Sequence, residues 1–348
     1  MFLTDCWQVA AYSSEVGRRL LKRTIADMPV VMYRQESGAP VAMEDRCPHR
    51  FVPLSLGCLE GDVVRCGYHG MRFAPSGACV GIPGQDAIPA KARVRTFPTM
   101  ERHRFVWIWM GDAAKADASL VPDFHWMDDA RWAAAEGYHH VEADYRFLVD
   151  NLLDLSHETF VHPETIGNAA VAESPIAVSI VEGKTVRAHR DMLACEPPPQ
   201  FVALAGFSGR IDRWHTTFYT PPGCCVIEVG AVPAGSKDVA HGFEARILNL
   251  ITPETGRSSH YFWAHARNVR VDDRELTNRI RSSVAETFDQ DKVILEAQQR
   301  AVDRVGSVDP GVVIKVDAGP VQGRRVLAAA FQEASTTLGV TRDHIPHY

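Results

Sequence analysis

Short apolar runs broken by turn residues fill roughly the first third of the chain. Residues 30–33, 63–65, 71–73, 93–97 and 105–109 carry Val, Phe, Tyr and Trp, and loops such as Ser76-Gly77 and Ile82-Pro83-Gly84 separate them. β-Branched and aromatic side chains fit a pleated surface while Gly and Pro punctuate it, so this region reads as a small all-β domain. Residues 111–122 are small and polar and end at Pro122, the composition of a linker. They set the expected domains at 1–115 and 116–348. Strand patterns return at 213–219, 225–229, 245–251 and 260–264. Between them, residues 169–207 show little periodicity and contain Pro197-Pro198-Pro199, as expected of a long surface or lid segment.

The period changes to that of a helix at residues 273–305, with Leu276, Ile280, Val284, Phe288, Ile294 and Leu295. Several strands at hairpin spacing followed by one long helix predict an α+β domain, an antiparallel sheet gripping that helix in a helix-grip-like arrangement. The helix holds two candidate acids. At about 100° per residue, Ile280, Val284 and Leu295 fall within about 40° of Asp291, whereas Asp289 lies about 160° away. Asp291 is therefore expected on the buried stripe and Asp289 in solvent. A buried carboxylate is costly without a partner, so Asp291 needs a metal, an internal ion pair or strong donors.

With 348 residues, 46% hydrophobic content and a net charge of −6, the chain suits a soluble globular protein large enough for two domains. Nothing in its charge points to nucleic acid. Its apolar runs are too short to span a membrane, and its first residues lack a basic stretch followed by an apolar core, so a cytoplasmic location is expected. Eight cysteines in such a chain point to thiolate ligands or buried thiols rather than disulfides.

Four of the candidate ligands alternate. Cys47-Pro48-His49 and Cys66-Gly67-Tyr68-His69 stand sixteen residues apart, each supplying a thiolate and an imidazole. A structural zinc site usually reads as a Cys pair followed by a His pair. The alternation suits a two-iron centre better, Cys47 and Cys66 holding one iron while His49 and His69 hold the other, which is Rieske [2Fe-2S] ligation. Imidazoles in place of two thiolates raise the potential and make the centre a moderate electron relay. Gly67 and Gly70 would let backbone amides approach the sulfides. Zinc predicts a colourless protein and the Rieske cluster a reddish-brown one. Cys6, Cys58, Cys79, Cys195, Cys224 and Cys225 lack such spacing and read as buried or free thiols.

A second constellation runs from Asn151 through Asp154, His157 and His162 to Pro163. Zinc hydrolases place two histidines four apart on one helical face. His157 and His162 are five apart, about 140° round an ideal helix, so they share an ion only if the helix bends, bulges or ends between them. Pro163 pushes the preceding residue out of the α region, which puts His157 on a last turn and His162 in the chain leaving it. Two imidazoles and one distant carboxylate form a facial set that leaves positions open on a non-haem Fe(II) for dioxygen and substrate. Two unrelated histidines on an amphipathic helix are the other reading.

With both motifs in hand, the chain resembles the oxygenase components of Rieske non-haem iron oxygenases over nearly its whole length, in the branch of vanillate O-demethylase, toluenesulfonate methyl-monooxygenase and dicamba O-demethylase. The resemblance is carried by Cys6-Trp-Gln-Val-Ala10, Cys47-Pro-His-Arg50, Cys66-Gly-Tyr-His-Gly70, Val106-Trp-Ile-Trp-Met-Gly-Asp112, Asp150-Asn-Leu-Leu-Asp-Leu-Ser-His157, Ile251-Thr-Pro-Glu-Thr255 and Tyr261-Phe-Trp263. It implies that His157, His162 and Asp291 ligate the mononuclear iron. It also implies that Asp154 bridges His69 of one subunit to His157 of its neighbour, that Asn151 stands beside the iron, and that the assembly is a homotrimeric ring.

The activity implied is hydroxylation of a methyl or methoxy carbon on a small aromatic acid, with O2 as co-substrate and formaldehyde released from a methoxy group. No G-x-G-x-x-G dinucleotide fingerprint is present, so electrons must come from a partner, expected to be a reductase with flavin and a plant-type iron–sulfur cluster. Ring cis-dihydroxylation would use the same metals. An electron carrier without oxygenase activity would need no second metal. Asn249, His260, Phe262 and Trp263 are candidate pocket residues, although strand alternation lets only some face inward. Arg213 and His215 could meet a substrate anion or lie at the surface.

Overall fold

Every residue of Phe105-Val-Trp-Ile-Trp109 is buried, and this strand is the middle one of a sheet in the first of two units. In the computed structural model, which describes residues 1–236, 242–306 and 311–337, that unit comprises Met1–Phe124 with Thr252–Gly256. The second holds the remaining residues from His125 onward.

The first unit is built from β1 (Trp7–Tyr12), β2 (Leu21–Ile25), β3 (Met28–Arg34), β4 (Pro40–Glu44), β5 (Cys58–Glu60), β6 (Val63–Arg65), β7 (Arg72–Phe73), β8 (Cys79–Gly81), β9 (Thr96–Phe97), β10 (Thr99–Arg102) and β11 (Phe105–Trp109). They form three sheets, ordered β1-β11-β10, β2-β3-β4-β9 and β5-β6-β7-β8. β3 has a core on each face, which is why its sequence reads as one apolar run. Val30 and Met32 pack with Val106 and Ile108, while Val31 and Tyr33 pack with Leu54, Val64, Phe73 and the side chains of Cys47 and Cys66. The strand expected at 93–97 shortens to β9, Arg93 contributing an isolated bridge to Ala78.

The stretch expected as a linker is fastened down. Asp112 and Asp117 cap two short 3-10 turns by accepting from the amides of Ala114 and Ser119. The indole nitrogens of Trp109 and Trp7 donate to the carbonyls of Asp112 and Asp117, at 2.9 and 2.8 Å. These bonds keep residues 111–124 in the first unit.

The second unit holds β12 (Ala133–Val141), β13 (Ala177–Val181), β14 (Thr185–Cys195), β15 (Ile211–Thr220), β16 (Cys224–Pro233), β17 (Phe243–Thr255, of which Thr252 onward belongs to the first unit) and β18 (Ser258–Arg267). They make one antiparallel sheet in the order β12-β18-β17-β16-β15-β14-β13. Its helices are α1 (Tyr145–Leu153), α2 (Glu158–Val161), α3 (Ala169–Glu173), α4 (Pro199–Ala205), α5 (Arg274–Val305) and α6 (Ala318–Thr337). The Asp273 side chain caps α5 and Gly306, in the left-handed region at φ 73°, ends it. Its buried stripe runs through Leu276, Ile280, Val284, Thr287, Asp291, Leu295 and Gln299, so Asp291 is inward as its phase requires. Asp289 is exposed and approaches His139 at 3.3 Å. Among the described residues no helix is long and apolar enough to cross a membrane.

Residues 169–207 are not an unstructured lid. They contain α3, β13, β14 and α4. β14 escaped notice because a charged residue, Arg190, occupies one of its inward positions between Ala188 and Met192, breaking the apolar alternation.

Gly137 and Trp263 are cross-strand partners in β12 and β18. A Cβ on Gly137 would sit 2.0 Å from the Trp263 indole. Gly137→Ala is therefore expected to lower stability by about 1–3 kcal/mol through overpacking; an unchanged urea midpoint would contradict this placement.

Candidate metal centres and active site

The two Cys/His loops of the first unit hang from its core. Cys47 and Cys66 are 3% exposed, whereas His49 and His69 are exposed with ring centroids 4.6 Å apart. Each loop closes on its own cysteine: the Phe51 amide donates to the Cys47 carbonyl (2.9 Å) and the Gly70 amide to the Cys66 carbonyl (3.1 Å). Asp45 braces the first loop by accepting from both the amide and the hydroxyl of Ser55. Burial, with Cys66 alongside, pushes the Cys47 thiol up to about 11, although the amides of His49 and Arg50 point at its sulfur and pull the other way. Such a thiol stays protonated at neutral pH unless a metal takes the proton's place. Two inner sulfurs and two outer imidazoles thus fit a [2Fe-2S] cluster whose histidine end faces outward.

The two glycines of the second loop are also required by packing. A Cβ on Gly67 would lie 2.7 Å from the Leu56 carbonyl oxygen, and one on Gly70 2.9 Å from the Pro83 ring. Gly70 also takes φ 73°. Both are needed for close packing of the loops.

In the second unit α1 ends at Leu153, a 3-10 turn covers Leu155–His157, and α2 runs from Glu158 to Val161. His157 therefore precedes this short helix instead of closing a longer one. His162 leaves its end at φ −122° and ψ 40°, just before Pro163. This break brings both rings to one place. Each ring's Nδ1 is engaged, with Asp154's carbonyl oxygen (2.7 Å) for His157 and with the side-chain oxygen of Gln290 (2.7 Å) for His162. Both acceptors fix the proton on Nδ1 and turn the Nε2 lone pair toward Asp291.

The two Nε2 atoms lie 3.4 and 3.1 Å from Asp291 Oδ1. All three ligand atoms fall within 4.8 Å of one another. Asn151 Nδ2 donates to the same Oδ1 at 3.1 Å. Burial alone would depress His157, but the bond and charge of Asp291 win and raise it to about 9. Burial would raise Asp291, but the two imidazoles win and hold it at about 2. The pair thus traps a proton where a divalent cation would sit, and His157, His162 and Asp291 could bind a mononuclear iron.

Within the chain Asp154 meets His157 through its main-chain oxygen. Its carboxylate instead accepts from the Ser156 amide at 3.0 Å, which stabilises the 3-10 turn carrying His157.

A cleft opens beside these ligands, lined mainly by apolar side chains such as Leu152, Leu155, Ile227, Phe243, Ile247 and Phe288. A concave, mainly apolar wall with a few convergent polar groups suits a small molecule. The four expected pocket residues lie elsewhere. His260 and Phe262 alternate to the opposite sheet face, where both meet Tyr138. Trp263 is one layer back: it packs edge-on against Phe288 at 5.6 Å, and its Nε1 donates to His139. Asn249 is fully buried, donating to the Cys225 carbonyl and accepting from the Tyr261 hydroxyl.

Arg213 and His215 are buried too, each 2% exposed. Arg213 reaches the cleft wall, already paired with Glu158 at 2.9 Å and stacked on Phe201. His215 does not line it.

Sequence reasoning missed Gln290, Glu158 and His265. Gln290 had no signal beyond adjoining Asp291, and Glu158 only its place beside His157. Gln290→Leu, which removes the acceptor that orients His162, is expected to weaken Fe(II) binding about 10–100-fold. Anaerobic iron titration would measure this; undiminished affinity would exclude the orienting role.

Both units have relatives among known proteins. Residues 6–98 match the Rieske [2Fe-2S] domain model and residues 141–333 the vanillate O-demethylase oxygenase C-terminal domain model. The chain is 39% identical to a toluene-4-sulfonate monooxygenase system iron-sulfur subunit of Comamonas testosteroni, over 94% of this chain and 96% of that protein. It is 36% identical to a vanillate O-demethylase oxygenase subunit of a Pseudomonas species, covering 98% and 99%. A crystal structure of dicamba monooxygenase bound to 3,6-dichlorosalicylic acid superposes with a TM-score of 0.90 at 33% identity, covering 96% and 99%. Two metal-ligand sets of the right donor chemistry, one in each unit, and family matches across both units place the chain among the Rieske oxygenases, in the family with the vanillate O-demethylase type of catalytic domain.

Proposed function

We propose that the chain hydroxylates the methyl or methoxy carbon of a small aromatic acid. The observation that carries this reading is the convergence of His157, His162 and Asp291 on one point at the edge of a mainly apolar cleft. The named relatives act on vanillate, toluene-4-sulfonate and dicamba, all aromatic acids bearing a methyl or methoxy group. Cys47, His49, Cys66 and His69 hold the cluster, and His157, His162 and Asp291 hold the iron. When bound, the iron supplies oxygen activation and the cluster supplies electrons one at a time.

The remaining residues position. Leu152, Leu155 and Phe288 exclude water and seat the ring, while Asn151 steadies the Asp291 carboxylate through Oδ1. For a methoxy substrate, dioxygen, two electrons and two protons insert one oxygen into the methyl C–H and reduce the other to water. The resulting hemiacetal loses formaldehyde and leaves the phenol. A separate flavin and iron–sulfur reductase supplies the electrons, both proteins being cytoplasmic.

We also propose the homotrimeric ring, in which Asp154 serves the neighbouring subunit's cluster histidine. Phe51, Leu56 and Tyr68, on or beside the cluster loops, are 57–72% exposed, an apolar rim suited to a second copy of the chain.

Purified, iron-loaded protein with a reductase is expected to release formaldehyde in step with phenol from vanillate or another methoxybenzoate, or to hydroxylate toluene-4-sulfonate. Absence of turnover on all of these, with a reducible cluster, would overturn the assignment. Asn151→Leu is expected to lower turnover about 10–100-fold without changing cluster reduction, as for loss of a group supporting a metal ligand. Full turnover by that variant would remove Asn151 from the active site.

A further inference from the structure

The cleft has two polar ends. Its sheet wall crosses four adjacent strands, from Arg213 on β15, past Ile227 on β16 and Ile247 on β17, to His265 on β18. Three strand spacings separate the ends, about 14 Å in the hydrogen-bonding direction. Arg213 gives its two terminal nitrogens to the Ile166 carbonyl and to Glu158, and only its buried Nε is left unbonded. His265 has no partner residue at all among the described residues: it is 5% exposed, lines the cleft, and its enclosed Nδ1 makes no hydrogen bond to another residue.

Leaving a buried polar group unpaired costs about 1–3 kcal/mol, so an imidazole with no partner residue on the wall of a cleft marks a place where a ligand completes the bonding. Burial, with Arg267 adding to it, depresses the imidazole to about 4. At neutral pH it is uncharged, carrying one N–H donor and one lone pair.

His265 also stands far from the iron ligands. Arg281 donates to the Glu136 carbonyl at 3.2 Å, and Glu136 pairs in register with Ala264. His265 is thus level with the turn of α5 near residues 281–284, seven to ten residues before Asp291, or about 10–15 Å along the axis. The reacting carbon and the acid group of a para-substituted ring lie at opposite ends of the molecule. Gln200, the nearest rival, is half-buried and also borders a second cleft.

We infer that His265 is the specificity residue that donates a hydrogen bond to the substrate's carboxylate or sulfonate while the methyl or methoxy carbon lies beside His157, His162 and Asp291. This rests on the aromatic-acid reading above and names how the acid is recognised. The anion is held by a neutral donor at the far end of the cleft, and the Arg213 guanidinium stays with Glu158.

The test compares kcat/KM for 4-methoxybenzoate and for methoxybenzene, the same ring without the anion, in wild type, His265→Phe and His265→Gln holoproteins with equal iron content and cluster spectra. The Phe variant is expected to lose about 10–100-fold on 4-methoxybenzoate, the worth of a hydrogen bond to a charged group, with little change on methoxybenzene. The Gln variant, which keeps a donor, should recover most of that loss. Equal losses on both substrates, or none on the acid, would overturn the role of His265. A wild type inactive on every methoxybenzoate and on toluene-4-sulfonate would overturn the proposed function itself.

Discussion

A carboxylate on the apolar stripe of a long helix is the constraint from which the catalytic unit follows. Asp291 sits on the same face as Val284 and Leu295, and a charge there is tolerable only with close, oriented partners. His157 and His162 provide them because the chain breaks from helix to 3-10 turn and back before Pro163, swinging two residues five apart onto one point. Gln290 and the Asp154 carbonyl fix the rings from behind. The depressed Asp291 and raised His157 are two views of one fact: the protein has assembled a cation site and fills it with a proton when no metal is there.

The two metal sites solve opposite problems. In the first unit the thiols lie in the core while the imidazoles and a rim of apolar side chains face outward, as electron transfer to another site requires. In the second unit the ligands are inward and the open side gives onto a mainly apolar cleft. Its charges are balanced locally, Glu158 by Arg213 and Asp291 by the imidazoles, so the sheet wall offers a substrate shape and neutral hydrogen bonds. Selectivity then lies in a few polar positions at the ends of an oily slot.

Much of this was legible in the sequence, and its limits have physical causes. The Cys/His alternation has little competing explanation, and helical phase separates Asp291 from Asp289 because a 32-residue helix fixes its own face. The boundary was harder to see, because the small, polar residues 111–122 look the same free or pinned by two tryptophans. β14 was hidden by Arg190, whose inward position only the partner strand explains. The pocket failed for a related reason. Alternation shows that neighbours on a strand face opposite ways, but which face meets the cleft depends on the helix across it. His260 and Phe262 therefore lie on the wrong side, while Trp263, on the right side, stands behind Phe288.

Iron per chain is the most direct test of the central claim. Protein loaded anaerobically should hold about three iron atoms per chain, two in the cluster and one at the mononuclear site, and Asp291→Ala should hold about two with an unchanged visible spectrum. Retention of the third iron in that variant would contradict the account, since the site would then not be built on Asp291.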